Sequence, residues 1–207
     1  MANNLIITIA REYGSGGRLI GQKLAELLDI PFYDKEIISL AAEQSGLSEE
    51  FMYQHDQKKK PLSFMHNIYL NNKSLPINEQ VFQAQCQVIR DVAKKGSCVI
   101  VGRCADHVLS ENPLCIKVFI QAPEAEKNRR IMEKYQETTD TPSAYAAKID
   151  KERAAHYNFF TLEKWGDRRN YHLIVNSTIG IDASALLIKQ YAEGFMQQYL
   201  AKFSNSK

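Results

Sequence analysis

LIITIAREYGSGGRLIGQKLAELL fills residues 5–28 and carries the strongest fold signal in the chain. Residues 5–9 are apolar or β-branched, as expected of a strand that is covered on both faces. Gly14, Gly16 and Gly17 follow at a turn, and apolar residues then recur at helical spacing. This order of strand, glycine-rich turn and helix is an arrangement that binds nucleotide phosphates.

The glycine turn has the chemistry to hold an anion with its main chain. Residues without a Cβ adopt positive φ easily, so that several N–H groups can point inward together. The first turn of the following helix adds unpaired N–H groups at its positive end. Gly14, Ser15, Gly16 and Gly17 therefore form the predicted phosphate cradle. The alternative is a turn that only reverses the chain, because glycine clusters are common between strands and helices.

The turn departs from the lysine-bearing loop G-x-x-x-x-G-K-[ST]. When that pattern is laid over residues 11–18 (REYGSGGR), Arg11 stands at the first glycine, Gly17 at the lysine and Arg18 at the magnesium-touching hydroxyl. The backbone cradle is kept, whereas the lysine and the hydroxyl are absent. Because a guanidinium can grip two phosphate oxygens at once, we predict that Arg18 or Arg11 supplies the missing charge.

Strands alternate with helices along the rest of the chain. Further strands are predicted at 29–34, 97–103, 115–123 and 171–178. Further helices are predicted at 35–46, 77–96, 124–136, 144–160 and 182–203. Asp182 is the predicted cap of the last helix, and residues 48–76 predict short helices and loops that project from the core. The alternation predicts a parallel sheet covered by helices on both faces.

Composition and charge limit the possible roles. The chain has 207 residues, which fits one domain with a small insert. Lys+Arg of 26 against Asp+Glu of 24 gives a net charge of +2, which favours neither a nucleic-acid partner nor a membrane surface. No segment approaches the roughly 18 apolar residues of a membrane span, and the first residues lack the basic region of a secretory signal.

The cysteines and histidines carry little sign of metal or disulfide chemistry. None of the four cysteines forms a CxxC pair, so we expect reduced, mostly buried thiols in a cytoplasmic protein. The five histidines show no ligand spacing, and no protein metal ligands are predicted. Trp165 is expected to be a packing anchor, and the run DQKKKPL (56–62) a solvated loop. The sequence leaves monomer and homodimer open.

Two further charged stretches are candidate ligand contacts. Arg103 follows a glycine at the end of a predicted strand and is expected to face the ligand crevice, with an ion pair to Asp106 as the alternative. Arg129 and Arg130 are adjacent on a helix and point about 100° apart, so that only one can easily face a site.

Asp150 and Arg153 lie three residues apart on the next predicted helix. That spacing permits an ion pair within the helix, and the sharper alternative is that the pair grips a ligand.

These stretches together resemble the cytidylate kinase-like family of nucleoside monophosphate kinases. The opening IITIAREYGSGGRLIGQKLAELLDIPFYDKEII is similar to that of the family, and VIVGR (99–103) resembles its G-R-D element. QAPEAEKNRR (121–130) resembles its arginine-bearing helix before the lid. Asp150-x-x-Arg153 resembles its D-S-x-R, and FFTLEKWGDRRNYHLIVNST (159–178) its ending. The resemblance covers nearly the whole chain.

The resemblance implies a P-loop kinase fold, a three-layer α/β/α domain whose five parallel strands lie in the order 2-3-1-4-5. It implies a single domain over 1–207, with a monophosphate-binding insert at about 35–80 and a lid at about 125–160, whose tip we place at 137–143. The implied reaction transfers a phosphoryl group from ATP, with Mg²⁺, to CMP, dCMP or a related small-molecule nucleotide.

The site residues follow by motif. The implied ATP site comprises Gly14, Ser15, Gly16 and Gly17, to which the hypothesis on the missing lysine adds Arg11 and Arg18. The implied acceptor site comprises Asp34, Arg103, Asp150 and Arg153. The residues expected to neutralise the transferred phosphoryl group are Arg18, Arg129, Arg130 and Arg153. Positioning and positive charge do most of the work in such a transfer.

The chain also departs from the pattern of cytidylate kinases. The acidic residue after Gly-Arg is Cys104, and the arginine four residues before Asp150 is Ala146. Two other functions therefore stay open: a P-loop kinase for a different small acceptor, and a nucleotide-binding regulatory protein without catalysis. The density of arginines favours catalysis, because a protein that only binds nucleotide has no need of so many guanidiniums in one cleft.

Overall fold

The computed structural model describes residues 4–56, 75–135 and 139–204. Five parallel strands form one sheet in the order β2-β3-β1-β4-β5, which confirms the predicted topology. The strands are β1 (Ile6–Arg11), β2 (Phe32–Tyr33), β3 (Cys98–Val101), β4 (Cys115–Gln121) and β5 (Leu173–Asn176). β1 is central and pairs with β3 on one side and β4 on the other.

Helices connect the strands and cover both faces of the sheet, and those within the described residues are numbered here in chain order. The first four are α1 (Gly17–Leu28), α2 (Glu36–Ser45), α3 (Glu49–His55) and α4 (Ile77–Lys95). The last four are α5 (Ala105–Val108), α6 (Glu124–Glu133), α7 (Pro142–Thr161) and α8 (Ile181–Ser204). Two short 3₁₀ helices, Arg168–Asn170 and Ser177–Ile179, flank β5.

Alternation along the strands divides the core between the two faces. Ile7 and Ile9 of β1 pack in one cluster with residues of α1 and α8. Ile6 and Ile100 pack in the other cluster, with residues of α2 and α4. Because successive side chains of a strand point to opposite faces, a sheet covered on both sides needs such continuous apolar strands. These two clusters explain why the predicted strand at residues 5–9 is apolar at every position that faces either cluster.

The carboxyl ends of the parallel strands bring the turns after β1, β2 and β3 to one edge of the sheet. The turn after β3 is the most constrained of them, since Gly102, Arg103 and Cys104 have φ of 75°, 53° and 55°. Left-handed conformations cost non-glycine residues roughly 1–2 kcal/mol each and cluster at functional sites. This run directs the Arg103 side chain back into the protein, where it is 4% exposed.

Several boundaries differ from those predicted. α8 begins at Ile181, so that Asp182 lies within its first turn and is not its cap; the carboxylate there still lies near the positive end of the helix. α5 was not predicted, because four residues are too few to show helical periodicity. The predicted insert (35–80) and lid (125–160) remain predictions: residues 57–74 and 136–138, which include part of the lid tip, lie outside the described residues.

The expectations for the cysteines and for Trp165 are confirmed. All four cysteines are free and buried. Trp165 packs edge-on against Phe119, with ring centroids 5.4 Å apart. Among the described residues, no helix combines the length and apolarity required to cross a bilayer.

We expect the packing of α1 against the sheet to contribute measurably to the free energy of unfolding. Leu24 is fully buried between α1 and the core. Leu24→Ala removes apolar contacts and leaves a cavity, so we expect the free energy of unfolding in urea to fall by about 2–5 kcal/mol. Leu186→Ala, at a side chain that is 48% exposed, is the matched control. Equal effects of the two substitutions would contradict this packing.

Candidate functional site

The turn between β1 and α1 has the geometry of an anion-binding loop. Gly14 and Gly16 are left-handed, with φ of 79° and 82°. The first helical hydrogen bond runs from Ile20 N to the Gly16 carbonyl at 2.9 Å, which leaves the N–H groups of residues 17–19 outside the helical ladder. These groups lie at the positive end of a 12-residue helix. The left-handed glycines of the predicted cradle are therefore present, but of residues 14–17 only Gly17 is among these N–H groups, since the Ser15 N–H donates to the Glu12 carbonyl at 3.3 Å. Phosphate binding by this turn stays a prediction.

Two side chains donate hydrogen bonds to carbonyl groups of the loop. Arg130 of α6 donates from a terminal guanidinium nitrogen to the Gly14 carbonyl at 2.6 Å, and Ser177 Oγ donates to the Ser15 carbonyl at 2.6 Å. Each of these bonds fixes a peptide plane. The loop is thus a rigid element rather than a mobile connection.

Arg153 is attached to the strand that leads into the loop. Its guanidinium donates to the Arg11 carbonyl at 3.2 Å and to Asp150 Oδ1 at 3.1 Å. The same Asp150 oxygen accepts the Tyr13 N–H at 2.7 Å. Burial raises the pKa of Asp150 and lowers that of Arg153, against the attraction of the two charges for each other. The predicted ion pair therefore exists, and it also positions the loop.

Asp34, at the end of β2, collects three guanidiniums. Its Oδ2 accepts Arg18 Nε at 2.7 Å, and its Oδ1 lies 3.3 Å from an Arg103 nitrogen and 4.0 Å from an Arg11 nitrogen. Burial acts to raise the pKa of Asp34, but the charges of Arg11, Arg103 and Arg18 hold it below its ordinary value. Asp34 is consequently ionised at neutral pH and binds the turns after β1, β2 and β3 together.

Arg103 has a second acidic partner that sequence reasoning missed. Asp56, at the end of α3, accepts its other terminal nitrogen at 3.1 Å and also accepts Gln85 Nε2 at 3.0 Å. The alternative pairing with Asp106 does not occur, because Tyr157 OH lies 2.9 Å from Asp106 Oδ2 instead. Asp56 belonged to a run of charges in the sequence, and nothing in that run indicated a buried partner.

Arg11 reaches Asp34 through a gap made by two glycines. A Cβ on Gly17 would lie 2.5 Å from the Arg11 Cβ, and a Cβ on Gly102 would collide with the guanidinium of Arg11. Burial, together with the nearby Arg153, lowers the pKa of Arg11 to about 9, which still leaves the group protonated at neutral pH. Arg11 and Arg18 therefore both point toward Asp34, whereas Arg130 is the guanidinium bonded to the loop itself.

The two adjacent arginines of α6 separate as their helical spacing requires. Arg130 is buried at the loop, whereas Arg129 is 53% exposed and pairs with Glu126 and Glu133 on its own helix. The structure thus brings Arg130, and not Arg129, to the candidate site. The physical reason is the turn of about 100° between neighbouring helical residues.

Two residues near the loop carried no sequence signal. Lys127 of α6 packs against Gly14, and its ammonium lies 3.2 Å from Glu12 Oε2. The Tyr135 hydroxyl accepts the Gly16 N–H, and its ring packs edge-on against Tyr13 with centroids 5.6 Å apart. An ammonium group is therefore close to the loop after all, supplied by a distant helix and already paired with a carboxylate.

A small cavity of about 30 Å³ lies beside the loop, between the ends of β1 and β3. We call it the arginine cavity; its lining includes Arg11, Arg103, Asp106, Arg153 and His156. Apolar residues such as Ala10 and Trp165 complete its lining, and it has the size of one or two water molecules. Its position at the carboxyl edge of the sheet is where open α/β sheets bind ligands.

The polar groups around the loop suit the phosphates of ATP better than they suit a magnesium ion bound directly by protein side chains. Among the described residues, no group of three or more His, Cys, Asp or Glu side chains could hold a metal. The nearby carboxylates of Asp34 and Asp150 are already paired with guanidiniums, and the Ser15 hydroxyl donates to the Glu12 carbonyl at 2.8 Å. The N–H groups and guanidiniums fit a polyphosphate, whereas the protein oxygens at this edge are occupied.

Comparison with known proteins agrees with this geometry. The cytidylate kinase-like family matches residues 6–179. The chain is 32% identical to an uncharacterized protein from Eubacterium ventriosum ATCC 27560, with a TM-score of 0.69, covering 91% of this chain and 98% of that one. No protein of curated function matches the chain.

More distant structures share the fold alone. A shikimate kinase from Bacteroides thetaiotaomicron is 15% identical, with a TM-score of 0.55, covering 91% of this chain and 98% of that one. A gluconokinase from Sinorhizobium meliloti 1021 is 18% identical, with a TM-score of 0.51, covering 96% and 99%. The fold is therefore that of the P-loop kinases.

The ionised state of Asp34 leads to a stability prediction. Asp34→Asn leaves buried guanidiniums without their anion, so we expect the free energy of unfolding at pH 7 to fall by about 3 kcal/mol. Because the folded-state pKa is lowered, the stabilisation is complete above the unfolded pKa of about 3.9 and is lost as pH falls through the folded value. The difference between wild type and variant should therefore shrink below about pH 4 in urea titrations.

Glu26→Gln is the matched control for this measurement, since Glu26 pairs with Lys23 on an exposed helix face. It should not change stability measurably. A variant at Asp34 that matched the wild type at pH 7 would show that this carboxylate does not hold the three turns together.

Proposed function

The chain belongs to the cytidylate kinase-like family, and from this premise we propose that it transfers the γ-phosphoryl group of ATP to a nucleoside monophosphate. CMP or dCMP is the first candidate acceptor, and the product is the corresponding diphosphate. The family match and the P-loop kinase fold support a phosphotransferase. The acceptor is proposed from the resemblance to cytidylate kinases and from the chemistry of the edge of the sheet.

The observation that carries the proposal is the fixing of two guanidiniums to the backbone of the loop region. Arg130 is bonded to the Gly14 carbonyl, and Arg153 to the Arg11 carbonyl. Both side chains are therefore held in position by the backbone before any ligand binds. Preorganised positive charge of this kind is the main source of rate in phosphoryl transfer, which needs little covalent chemistry from the protein.

In the proposed complex, the N–H groups at the start of α1 bind the phosphates of ATP. A magnesium ion bound to the nucleotide would neutralise part of the phosphate charge, and the described residues of the protein would contribute guanidiniums and N–H groups beside it rather than metal ligands. The Gly16 N–H is shared with the Tyr135 hydroxyl in the present structure. A phosphate oxygen that takes this N–H displaces the hydroxyl, so that nucleotide binding is coupled to the end of α6.

The acceptor binds on the side of Arg103 and Asp34, away from the N–H groups at the start of α1 that bind ATP. A phosphate oxygen of the acceptor attacks the γ-phosphorus, the bond to the bridging oxygen breaks, and ADP leaves. Arg130 and Arg153 neutralise the charge on the moving group, and Asp150 keeps Arg153 in place. Closure of the predicted lid would exclude water and limit hydrolysis of ATP.

Two alternatives remain. A kinase for another small acceptor is favoured by the small volume of the arginine cavity, about 30 Å³, and would keep every role assigned to the ATP side. A regulatory protein that binds nucleotide without catalysis would need the loop but not the fixed arginines. Turnover separates these possibilities.

The direct test is the release of ADP by purified protein with MgATP and, in turn, CMP, dCMP, UMP, AMP and GMP. We expect turnover with CMP or dCMP well above the rate of ATP hydrolysis without an acceptor. The control is the same assay without protein. Measurable ATP binding with no turnover on any of the five acceptors would contradict a nucleoside monophosphate kinase and favour one of the alternatives.

The neighbouring arginines of α6 offer a matched pair of variants. Arg130→Ala removes a buried guanidinium at the loop, and we expect kcat to fall on the order of 10³-fold. Arg129→Ala removes an exposed guanidinium one residue away and should leave kcat within about twofold, as expected for a surface ion pair. Similar losses for both variants would contradict the placement of Arg130 beside the transferred group.

A further inference from the structure

The arginine cavity gathers buried nitrogen atoms that lack a hydrogen-bond partner. Arg103 Nε, Arg153 Nε and His156 Nε2 have none within the described part of the chain, and all three residues line the cavity. Leaving one buried polar group unpaired costs about 1–3 kcal/mol. Three such atoms around a single space indicate that a polar group other than the described residues completes them.

His156 is held rigidly at this cavity. Its ring lies 4.8 Å from that of Phe160 and 5.9 Å from that of Phe82, while the two phenyl rings stack on each other at 4.1 Å. The residue is three positions after Arg153 on α7, so that both side chains project from the same face of the helix. The imidazole is 7% exposed. A fixed ring in this position is suited to selecting a ligand group by its hydrogen-bonding geometry.

The imidazole is a neutral group among cations. Burial, opposed by the charge of Asp56 and assisted by that of Arg103, lowers the pKa of His156 to about 4. At neutral pH the ring therefore adds no positive charge for a phosphate. The Nε2 atom of a neutral imidazole either donates or accepts according to the tautomer, and a hydroxyl group can pair with it in both cases, because a hydroxyl both donates and accepts.

A water molecule could fill the same space, since about 30 Å³ holds one or two waters. Water would complete the hydrogen bonds but would add no negative charge to a cluster in which, among the described residues, Arg11, Arg18 and Arg103 share only the carboxylates of Asp34 and Asp56. An anion with a hydroxyl beside it satisfies both the charge and the hydrogen bonds. The same volume leaves no room for a nucleobase.

We propose that the arginine cavity takes two oxygen atoms from the sugar-phosphate end of the acceptor, one of the phosphate and one of a neighbouring hydroxyl. His156 is then a specificity-determining residue that binds this hydroxyl beside the phosphate oxygen held by Arg103 and Arg153. This inference rests on the proposed function, since it names the part of the acceptor that the protein selects. The base lies outside the cavity. Recognition at His156 is therefore the same for every base, and a phosphorylated sugar without a base is sufficient for it.

The test compares His156→Phe, which keeps an aromatic ring without hydrogen bonds, with His156→Gln, whose amide can replace them. The dissociation constants of CMP and of ribose 5-phosphate are measured by calorimetry in the absence of ATP. We expect the Phe variant to weaken both ligands about tenfold and by the same factor, and the Gln variant to remain within about threefold of the wild type. Phe159→Leu, at an exposed ring on the same helix that does not line the cavity, is the control and should bind as the wild type does.

Thermal unfolding separates binding from a structural role. The Phe variant removes an unpaired buried nitrogen, so its Tm should not fall below that of the wild type. If the Phe variant does not fold, His156→Leu is measured against the same criteria. Equal binding by the Phe variant and the wild type overturns the inference, as does a loss for CMP without a loss for ribose 5-phosphate, or an equal loss in the Gln variant.

The outcomes also distinguish this inference from the proposed function. Turnover of CMP by a wild type and a Phe variant with equal acceptor KM keeps the function and overturns the role of His156. A His156-dependent affinity for ribose 5-phosphate, in a protein that phosphorylates none of the nucleoside monophosphates, keeps the cavity and overturns the assigned acceptor. A wild type that binds neither CMP nor ribose 5-phosphate overturns the inference, whatever its ATP affinity.

Discussion

Charge balance at the carboxyl edge of the sheet is the constraint on which the rest of the site depends. Five guanidiniums and three carboxylates lie there: Arg11, Arg18, Arg103, Arg130 and Arg153 against Asp34, Asp56 and Asp150. The three carboxylates hold the cluster together by ion pairs, and the guanidiniums of this set outnumber them by two. Full neutralisation would leave no electrostatic reason for a polyanion to bind. A larger surplus, buried as these groups are, would destabilise the empty protein.

The sheet and the loop were predictable because their signals are local. Continuous apolar residues in β1 require cover on both faces, and the glycines after it permit the left-handed φ that the loop adopts. The choice between Arg129 and Arg130 was only half predictable. Helical spacing states that one of them faces away, but which one depends on how α6 packs against Gly14, and that contact joins residues 116 positions apart.

The partners of Arg103 were not predictable, since they come from elements that only the fold brings together. In the resembled family an acidic residue follows Gly-Arg, whereas here Cys104 is buried and its pKa is raised by burial, so that it stays a neutral thiol. The compensating carboxylates are Asp34 and Asp56, which lie 69 and 47 residues away. His156 did carry a weak signal, its position three residues after Arg153, but a single histidine on a helix is more often a packing residue.

The missing loop lysine at residue 17 is replaced by a different cation, the arginine at residue 11. The side chain of residue 11 passes through the space where a side chain on residue 17 would begin, because a Cβ there would lie 2.5 Å from the Arg11 Cβ. A lysine at 17 is therefore incompatible with an arginine at 11, and the common loop pattern has the reverse arrangement, glycine first and lysine later. The charge has moved from the start of the helix to the end of the strand, where it reaches Asp34 and the turn after β3 instead of the loop. The cation beside the loop is instead Arg130. It belongs to α6, 116 residues further along the chain, and its guanidinium donates a hydrogen bond to the Gly14 carbonyl.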